Sequence, residues 1–109
     1  MKLRTEIKRN GLVKNYFSDG KLAIISTYKN GKKHGTSKFY LRNGRLRAAG
    51  RFSNGKMTGL WKWWREDGKL WQTGNFKENK KNGAWKIYDK NGRLYQSSRF
   101  KDNQKIKHK

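Results

Sequence analysis

The stretch from Phe52 to Leu70, FSNGKMTGLWKWWREDGKL, decides how the chain reads. Two turn signals, Asn54-Gly55 and Asp67-Gly68, bracket an aromatic run. The same pattern returns on both sides of it at a fixed spacing. Gly20, Gly44, Gly68 and Gly92 stand 24 residues apart, each preceded by Asp or Asn and followed two residues later by Leu22, Leu46, Leu70 or Leu94. An aromatic closes each unit at Tyr28, Phe52, Phe76 and Phe100, and a second glycine column occupies Gly11, Gly35, Gly59 and Gly83. Several columns in register over most of a chain mark a repeat architecture.

The units run roughly over 11–28, 35–52, 59–76 and 83–100, within a single domain of 109 residues. Asn-Gly and Asp-Gly between β-prone runs are strong hairpin signals, because a two-residue type I′ turn needs positive φ at both central positions. The connection at Glu78-Asn79 lacks the glycine, and there the asparagine itself can take the left-handed conformation. No segment carries a 3.6-residue apolar period. The reading is all-β: a single-layer curved antiparallel meander of about eight strands, built from 24-residue hairpin repeats. A short leading strand is read over Leu3, Thr5 and Ile7, and 101–109, KDNQKIKHK, reads as a frayed basic tail.

Strand side chains alternate between two faces. If the residues flanking each Asx-Gly turn pair directly, Phe17 faces Leu22 and Tyr16 faces Ala23. Extending this rule sends Val13, Phe17, Leu22, Ile24, Tyr28, Phe39, Leu41, Leu46, Ala48, Phe52, Trp61, Trp63, Leu70, Phe76, Trp85, Ile87, Leu94 and Phe100 to one surface. Arg65 and Asp89 are the charged residues read onto that surface. The other surface takes Lys14, Lys21, Lys38, Arg42, Arg45, Arg47, Arg51, Lys62, Lys69, Lys86, Lys90, Arg93 and Arg99, with Glu66 as its acid. Interleaved there are Tyr16, Tyr40, Trp64, Trp71, Tyr88 and Tyr95. The rule pairs Trp64 with Trp71 and Tyr88 with Tyr95 across their hairpins.

Composition points the same way. Lys and Arg number 29 against 7 Asp and Glu, a formal charge of +22, which calls for a polyanionic partner. An aromatic content of 14% and periodic turns argue against the disorder that such charge would otherwise imply. The chain has no cysteine, so neither a disulfide framework nor a thiolate metal site is open to it. MKLRTEIKRN lacks the apolar run of a signal peptide and no stretch approaches a membrane span, so the expected location is cytoplasmic.

Catalytic chemistry finds no constellation. His34 and His108 have no second ligand at metal spacing. Asp19 and Asp67 are explained by turn chemistry. None of the glycines opens a helix, so there is no phosphate-cradling loop. A non-enzymatic binding module with no metal and no cofactor is the expectation.

FSNGKMTGLW, Phe52 to Trp61, continuing through Trp64, Gly68 and Leu70, resembles the bacterial variant of the MORN repeat. The next unit, Phe76 through Gly83, Trp85, Tyr88, Gly92 and Leu94, is similar but lacks the first turn glycine. The resemblance covers roughly residues 11–100, although Ser37 stands where the motif's tryptophan would be. It implies a curved array of β-hairpins. It also implies, less specifically, kinship with YwqK-type antitoxins, and with MORN proteins that act as scaffolds or touch anionic lipids.

The surface expected to bind a partner comprises Lys14, Lys38, Tyr40, Arg45, Arg47, Arg51, Lys62, Trp64, Lys69, Trp71, Lys86, Tyr88, Arg93, Tyr95 and Arg99. Lysines and arginines would neutralise phosphates while Tyr and Trp rings stack on unpaired bases, which favours single-stranded nucleic acid, RNA above all. A lysine-rich face is also the ordinary solvated side of an antiparallel sheet. The alternative partner is an acidic protein such as a toxin or defence enzyme, capped by an antitoxin, immunity or phage-type inhibitor protein. Anionic membrane ranks below both. Two copies could also meet through the apolar face.

Overall fold

The structure is a computed structural model and describes residues 3–5 and 9–107. Ten strands form one sheet: β1 (Leu3–Thr5), β2 (Gly11–Phe17), β3 (Leu22–Lys29), β4 (Lys32–Tyr40), β5 (Leu46–Ser53), β6 (Lys56–Trp64), β7 (Leu70–Lys77), β8 (Lys80–Tyr88), β9 (Leu94–Lys101) and β10 (Gln104–Ile106). Each strand pairs antiparallel with the next in sequence, so among the described residues the sheet is a meander with β1 and β10 as its outermost strands. No helix occurs among the described residues. The expected all-β repeat array is present, with ten strands where about eight were read. Ile7, read into the leading strand, lies outside the described residues. Residues 104–106, read as part of a frayed tail, form β10 on a hairpin through Asp102-Asn103.

Two kinds of turn alternate. At Asn30-Gly31, Asn54-Gly55, Glu78-Asn79 and Asp102-Asn103 both residues have positive φ, which is the two-residue type I′ geometry. Asparagine does take the left-handed position at Asn79, with φ 70°. These turns are stapled to one another: Gly31 N donates to Arg9 O, Gly55 N to Lys33 O, Asn79 N to Met57 O and Asn103 N to Lys81 O, all at 2.8–3.0 Å. Because the turns are this tight, Lys32, Lys33 and His34 belong to β4, although the repeat units read from the sequence leave 29–34 outside them.

The other turns are longer than the sequence suggested. Phe17 N donates to Lys21 O at 2.8 Å, and Gly20 N to Phe17 O at 2.9 Å. The same pair of bonds recurs at Leu41/Arg45, Arg65/Lys69 and Asp89/Arg93. Three residues, not two, therefore separate the paired positions. Asp19 stays out of the positive-φ region and Gly20 enters it at 89°. This is the three-residue hairpin loop in which the glycine forms a bulge. The Asp19 and Asp67 carboxylates and the Asn43 amide oxygen each accept the N–H two residues on, which favours this geometry.

The extra residue moves the register by one. Tyr16 pairs with Leu22, Tyr40 with Leu46, Trp64 with Leu70 and Tyr88 with Leu94. The leucine column therefore leaves the apolar face to which the two-residue rule sent it. A second irregularity after it leaves Ala23, Arg47, Trp71 and Tyr95 without a cross-strand partner in the hairpin. Further register shifts fall beside the glycines of the second column, Gly35, Gly59 and Gly83, all at positive φ. Regularly placed bulges bend and twist a sheet, which gives the array its curvature.

The rest of the apolar face is as read. Its central row crosses the sheet as Val13, Ser26, Ser37, Gly50, Trp61, Gly74, Trp85 and Ser98. Trp61 lies flat on Gly50 and Trp85 on Gly74; a Cβ at either glycine would fall inside the indole. Each indole N–H donates one residue past its glycine, to Arg51 O at 3.1 Å and Asn75 O at 2.9 Å. Phe52, Phe76 and Phe100 meet these rings, with centroids 5.1 Å apart for Phe52–Trp61 and Phe76–Trp85. Phe39 and Trp63 join the same ring cluster.

Candidate polyanion-binding face

Opposite the ring face, the middle of each strand carries one residue of a second row. In order across β2 to β9 it reads Lys14, Ile25, Lys38, Ala49, Lys62, Thr73, Lys86, Ser97, every neighbour in register. Four lysines thus stand in one line, each separated from the next by a small or neutral residue. Two strand spacings put successive lysines about 10 Å apart, and the line is about 29 Å long. The four reach one face because the 24-residue period returns each to the same place on every second strand. Lys38, Lys62 and Lys86 are exposed.

Two residues along, about 7 Å away, runs the column Tyr16, Tyr40, Trp64, Tyr88, paired with Leu22, Leu46, Leu70 and Leu94. These four aromatics are half-buried, so each ring stays partly open to solvent. The expected pairs Trp64–Trp71 and Tyr88–Tyr95 do not form, because the three-residue turn and the bulge after it remove Trp71 and Tyr95 from the register. Trp71 is 42% exposed with the Arg65 guanidinium 6.0 Å from its ring centroid, and Tyr95 is 74% exposed.

On the far side of the lysine line, Arg51 pairs with Thr36 and Thr58, and Arg99 with Ala84. Both arginines are exposed, as is Arg47 at its bulge. Arg45, Lys69 and Arg93 are displaced from the expected surface. They close the three-residue turns opposite Leu41, Arg65 and Asp89, which places them on the rim of the sheet. There Arg45 Nη1 donates to Glu66 O at 3.0 Å and Lys69 Nζ to Lys90 O at 3.1 Å, tying each turn to the next.

The described acids lie in turns or beside them. Asp19 is 3.6 Å from Arg42, and Asp89 accepts the N–H groups of Asn91 and Arg93 at 2.9 and 3.0 Å. Glu66, Asp67, Glu78 and Asp102 are also at turn positions. Among the described residues, no carboxylate stands at Lys38, Lys62 or Lys86 or at their in-register partners Ile25, Ala49, Thr73 and Ser97. At the exposed lysines Lys38, Lys62 and Lys86 the positive potential of the row faces solvent.

Two cations were missed on the opposite side. Lys33 and Lys81 pair with Tyr28 and Phe76 and lie over the ring face. Lys81 Nζ is 4.5 Å from the Trp85 centroid and 4.9 Å from that of Phe100; Lys33 Nζ is 5.1 Å from Phe52 and 5.4 Å from Phe39. Burial among these rings holds the Lys33 ammonium below its ordinary value of 10.5. Strand parity could have found both, had 32–34 and 80–82 been read as strand. A further set of lysines beside the type I′ turns was missed for the same reason.

No group of three or more metal-ligating side chains occurs among the described residues, and no helix there is long and apolar enough to cross a membrane.

No curated protein matches the chain. Among solved structures, the one titled "Crystal Structure of TarM" superposes with a TM-score of 0.56 at 12% identity, over 96% of this chain and 21% of that one. The chain thus spans about a fifth of that structure, and the likeness is one of fold. The model of the MORN repeat variant matches residues 9–30, 57–78 and 81–102. Each match encloses one three-residue hairpin and ends in a type I′ turn, and the second and third also begin just past one. The intervening unit, in which Ser37 replaces the ring residue, is unmatched but occupies the same place in the sheet. With more than half its length matched, the chain belongs to the MORN repeat variant family.

Proposed function

We propose that this protein is a non-enzymatic binding module whose lysine-lined face takes a polyanion, single-stranded RNA in the first place. The observation that carries the reading is the in-register line Lys14, Lys38, Lys62, Lys86, flanked by the Tyr16, Tyr40, Trp64, Tyr88 column. Cations at regular spacing attract a phosphate backbone, and a parallel line of ring edges suits bases that are already unpaired. A flat sheet fits an extended strand better than it fits a duplex groove. The reading includes no sequence specificity, since nothing along the row distinguishes one base edge from another.

The test is fluorescence anisotropy with an oligo(U) of about 20 nucleotides over a salt series. The expected result is tight binding at low salt, with log K falling by about 0.7 per phosphate contact for each decade of salt. Undetectable binding at low salt would end the proposal.

A second reading draws on the ring face. Phe39, Phe52, Trp63, Phe76 and Phe100 are only half-buried on a sheet that has no second layer among the described residues. A single sheet face of this kind buries its rings against another element. That favours a protein partner, and with it the YwqK-type antitoxin or inhibitor role that the repeat resembles. A partner that co-purifies after nuclease treatment and dissociates when Trp63 is replaced by Ser would support this second reading. The location proposed for either activity is the cytoplasm, where RNA and a toxin partner are both accessible.

A further inference from the structure

Beside the type I′ turns, the register sets lysine against lysine. Lys29 pairs directly with Lys32, and Lys77 with Lys80. Between those hairpins Ser53 pairs with Lys56, and Lys101 pairs with Gln104 after them. Six of the eight flanking positions in these four hairpins are therefore lysine: Lys29, Lys32, Lys56, Lys77, Lys80 and Lys101. All six are exposed. Like charges directly opposite on neighbouring strands destabilise a hairpin, and Cβ atoms there are about 5 Å apart. Serine and glutamine stand at two of the equivalent places, Ser53 and Gln104, so the turn does not require the lysines.

Lys32, Lys56 and Lys77 converge. They line one open cavity of about 470 Å³ between successive hairpins, together with Ser53, Thr58 and the turn residues Asn54 and Glu78. Thr58 pairs with Arg51, which places the cavity on the lysine-lined side of the sheet. Three lysines and two hydroxyl-bearing residues against the single carboxylate of Glu78 leave the lining net positive and rich in donors suited to phosphate oxygens. A bound phosphate would also relieve the repulsion within the Lys29–Lys32 and Lys77–Lys80 pairs.

We propose that these flank lysines form a second phosphate-binding line, parallel to the central lysine row, and that a single-stranded RNA engages both. The inference rests on the single-strand reading above for its ligand, and on the paired lysines and their cavity for its site. Single strands are flexible enough to cross from one line to the other, and a two-line footprint makes the salt dependence steeper than the central row alone would give.

The test uses the full chain and the quadruple variant K29T/K32T/K77T/K80T, with threonine chosen because it suits strands. Melting is followed in inorganic tripolyphosphate and in NaCl of matched ionic strength, and oligo(U) binding is measured across salt. Tripolyphosphate should raise the Tm of the wild-type chain beyond the NaCl control, and at most half of that rise should survive in the variant. Without ligand at low salt, the variant should melt above the wild type, with the gap closing at high salt. Its oligo(U) salt slope should be shallower by about 3, from about 0.7 for each of four lost contacts. Equal tripolyphosphate shifts in both proteins, or an unchanged slope, would overturn the second line. Loss of the tripolyphosphate shift with no oligo(U) binding by the wild type would leave the phosphate site standing and remove RNA as its ligand.

Discussion

The two halves of the ring face fill the same row differently. In the C-terminal half, Trp61 lies on Gly50 and Trp85 on Gly74, each indole donating to a neighbouring carbonyl. In the N-terminal half, the equivalent places hold Ser26 and Ser37, fully buried and joined by a 2.9 Å hydrogen bond, with Val13 beyond them. One backbone therefore accepts either a large ring over no side chain or two small hydroxyls that satisfy each other. What the repeat fixes is that the cross-strand pair packs without overlap and leaves its polar atoms partnered, not the residue at either place.

The comparison is most easily broken at Gly50. Gly50→Ser alone should cost about 3 kcal/mol or more, because the new side chain has no space beneath Trp61. The double variant G50S/W61S rebuilds the N-terminal arrangement and should recover part of that loss, giving a coupling above about 1 kcal/mol in a double-mutant cycle by urea denaturation. Additive losses would show that the halves are not interchangeable. A smaller effect is expected at the serine pair. Ser26→Ala should cost about 1–3 kcal/mol by leaving the Ser37 hydroxyl buried without a partner, whereas S26A/S37A should cost less than the single change.

The smallest effect concerns Lys33, whose equivalent one repeat on is Met57. Lys33→Met should raise Tm by about 2–4 °C, since it removes a charge that burial penalises and keeps an apolar chain over Phe39 and Phe52. The pH dependence has a definite sign. With its folded value held below 10.5, Lys33 is less protonated in the folded chain than in the unfolded chain over that interval. Stability should therefore rise with pH as it approaches 10.5, and K33M should lack that contribution. Melting curves on both proteins across alkaline pH measure it.

The period, the antiparallel meander and most of the ring face were legible because each depends on spacing that the sequence displays directly. Trp61, Trp63, Trp85, Phe52 and Phe76 land where strand alternation puts them. The leucine column did not, because Asp-Gly and Asn-Gly serve two hairpin loops that differ by one residue. Type I′ needs positive φ at both residues, as at Asn54-Gly55; the three-residue loop needs it at the glycine alone, as at Gly68. Reading both as type I′ displaced Leu22, Leu46, Leu70 and Leu94 to the wrong face and moved Arg45, Lys69 and Arg93 off the rim. The lysine row escaped this error, since Lys14, Lys38, Lys62 and Lys86 are placed by the alternation of their own strands. The flank lysines were hidden because Lys29, Lys32, Lys77 and Lys80 fall between the repeat units, and a residue outside a strand has no register.

Net charge and geometry make different claims about binding, and equal-charge variants separate them. K38E/K62E/K86E reverses the central row, while R45E/K69E/R93E reverses the rim, and both change the formal charge by the same amount. Oligo(U) affinity at low salt should fall about 100-fold for the row variant and less than about 5-fold for the rim variant. Equal losses in the two would contradict the lysine row as the contact surface and leave only a diffuse positive charge.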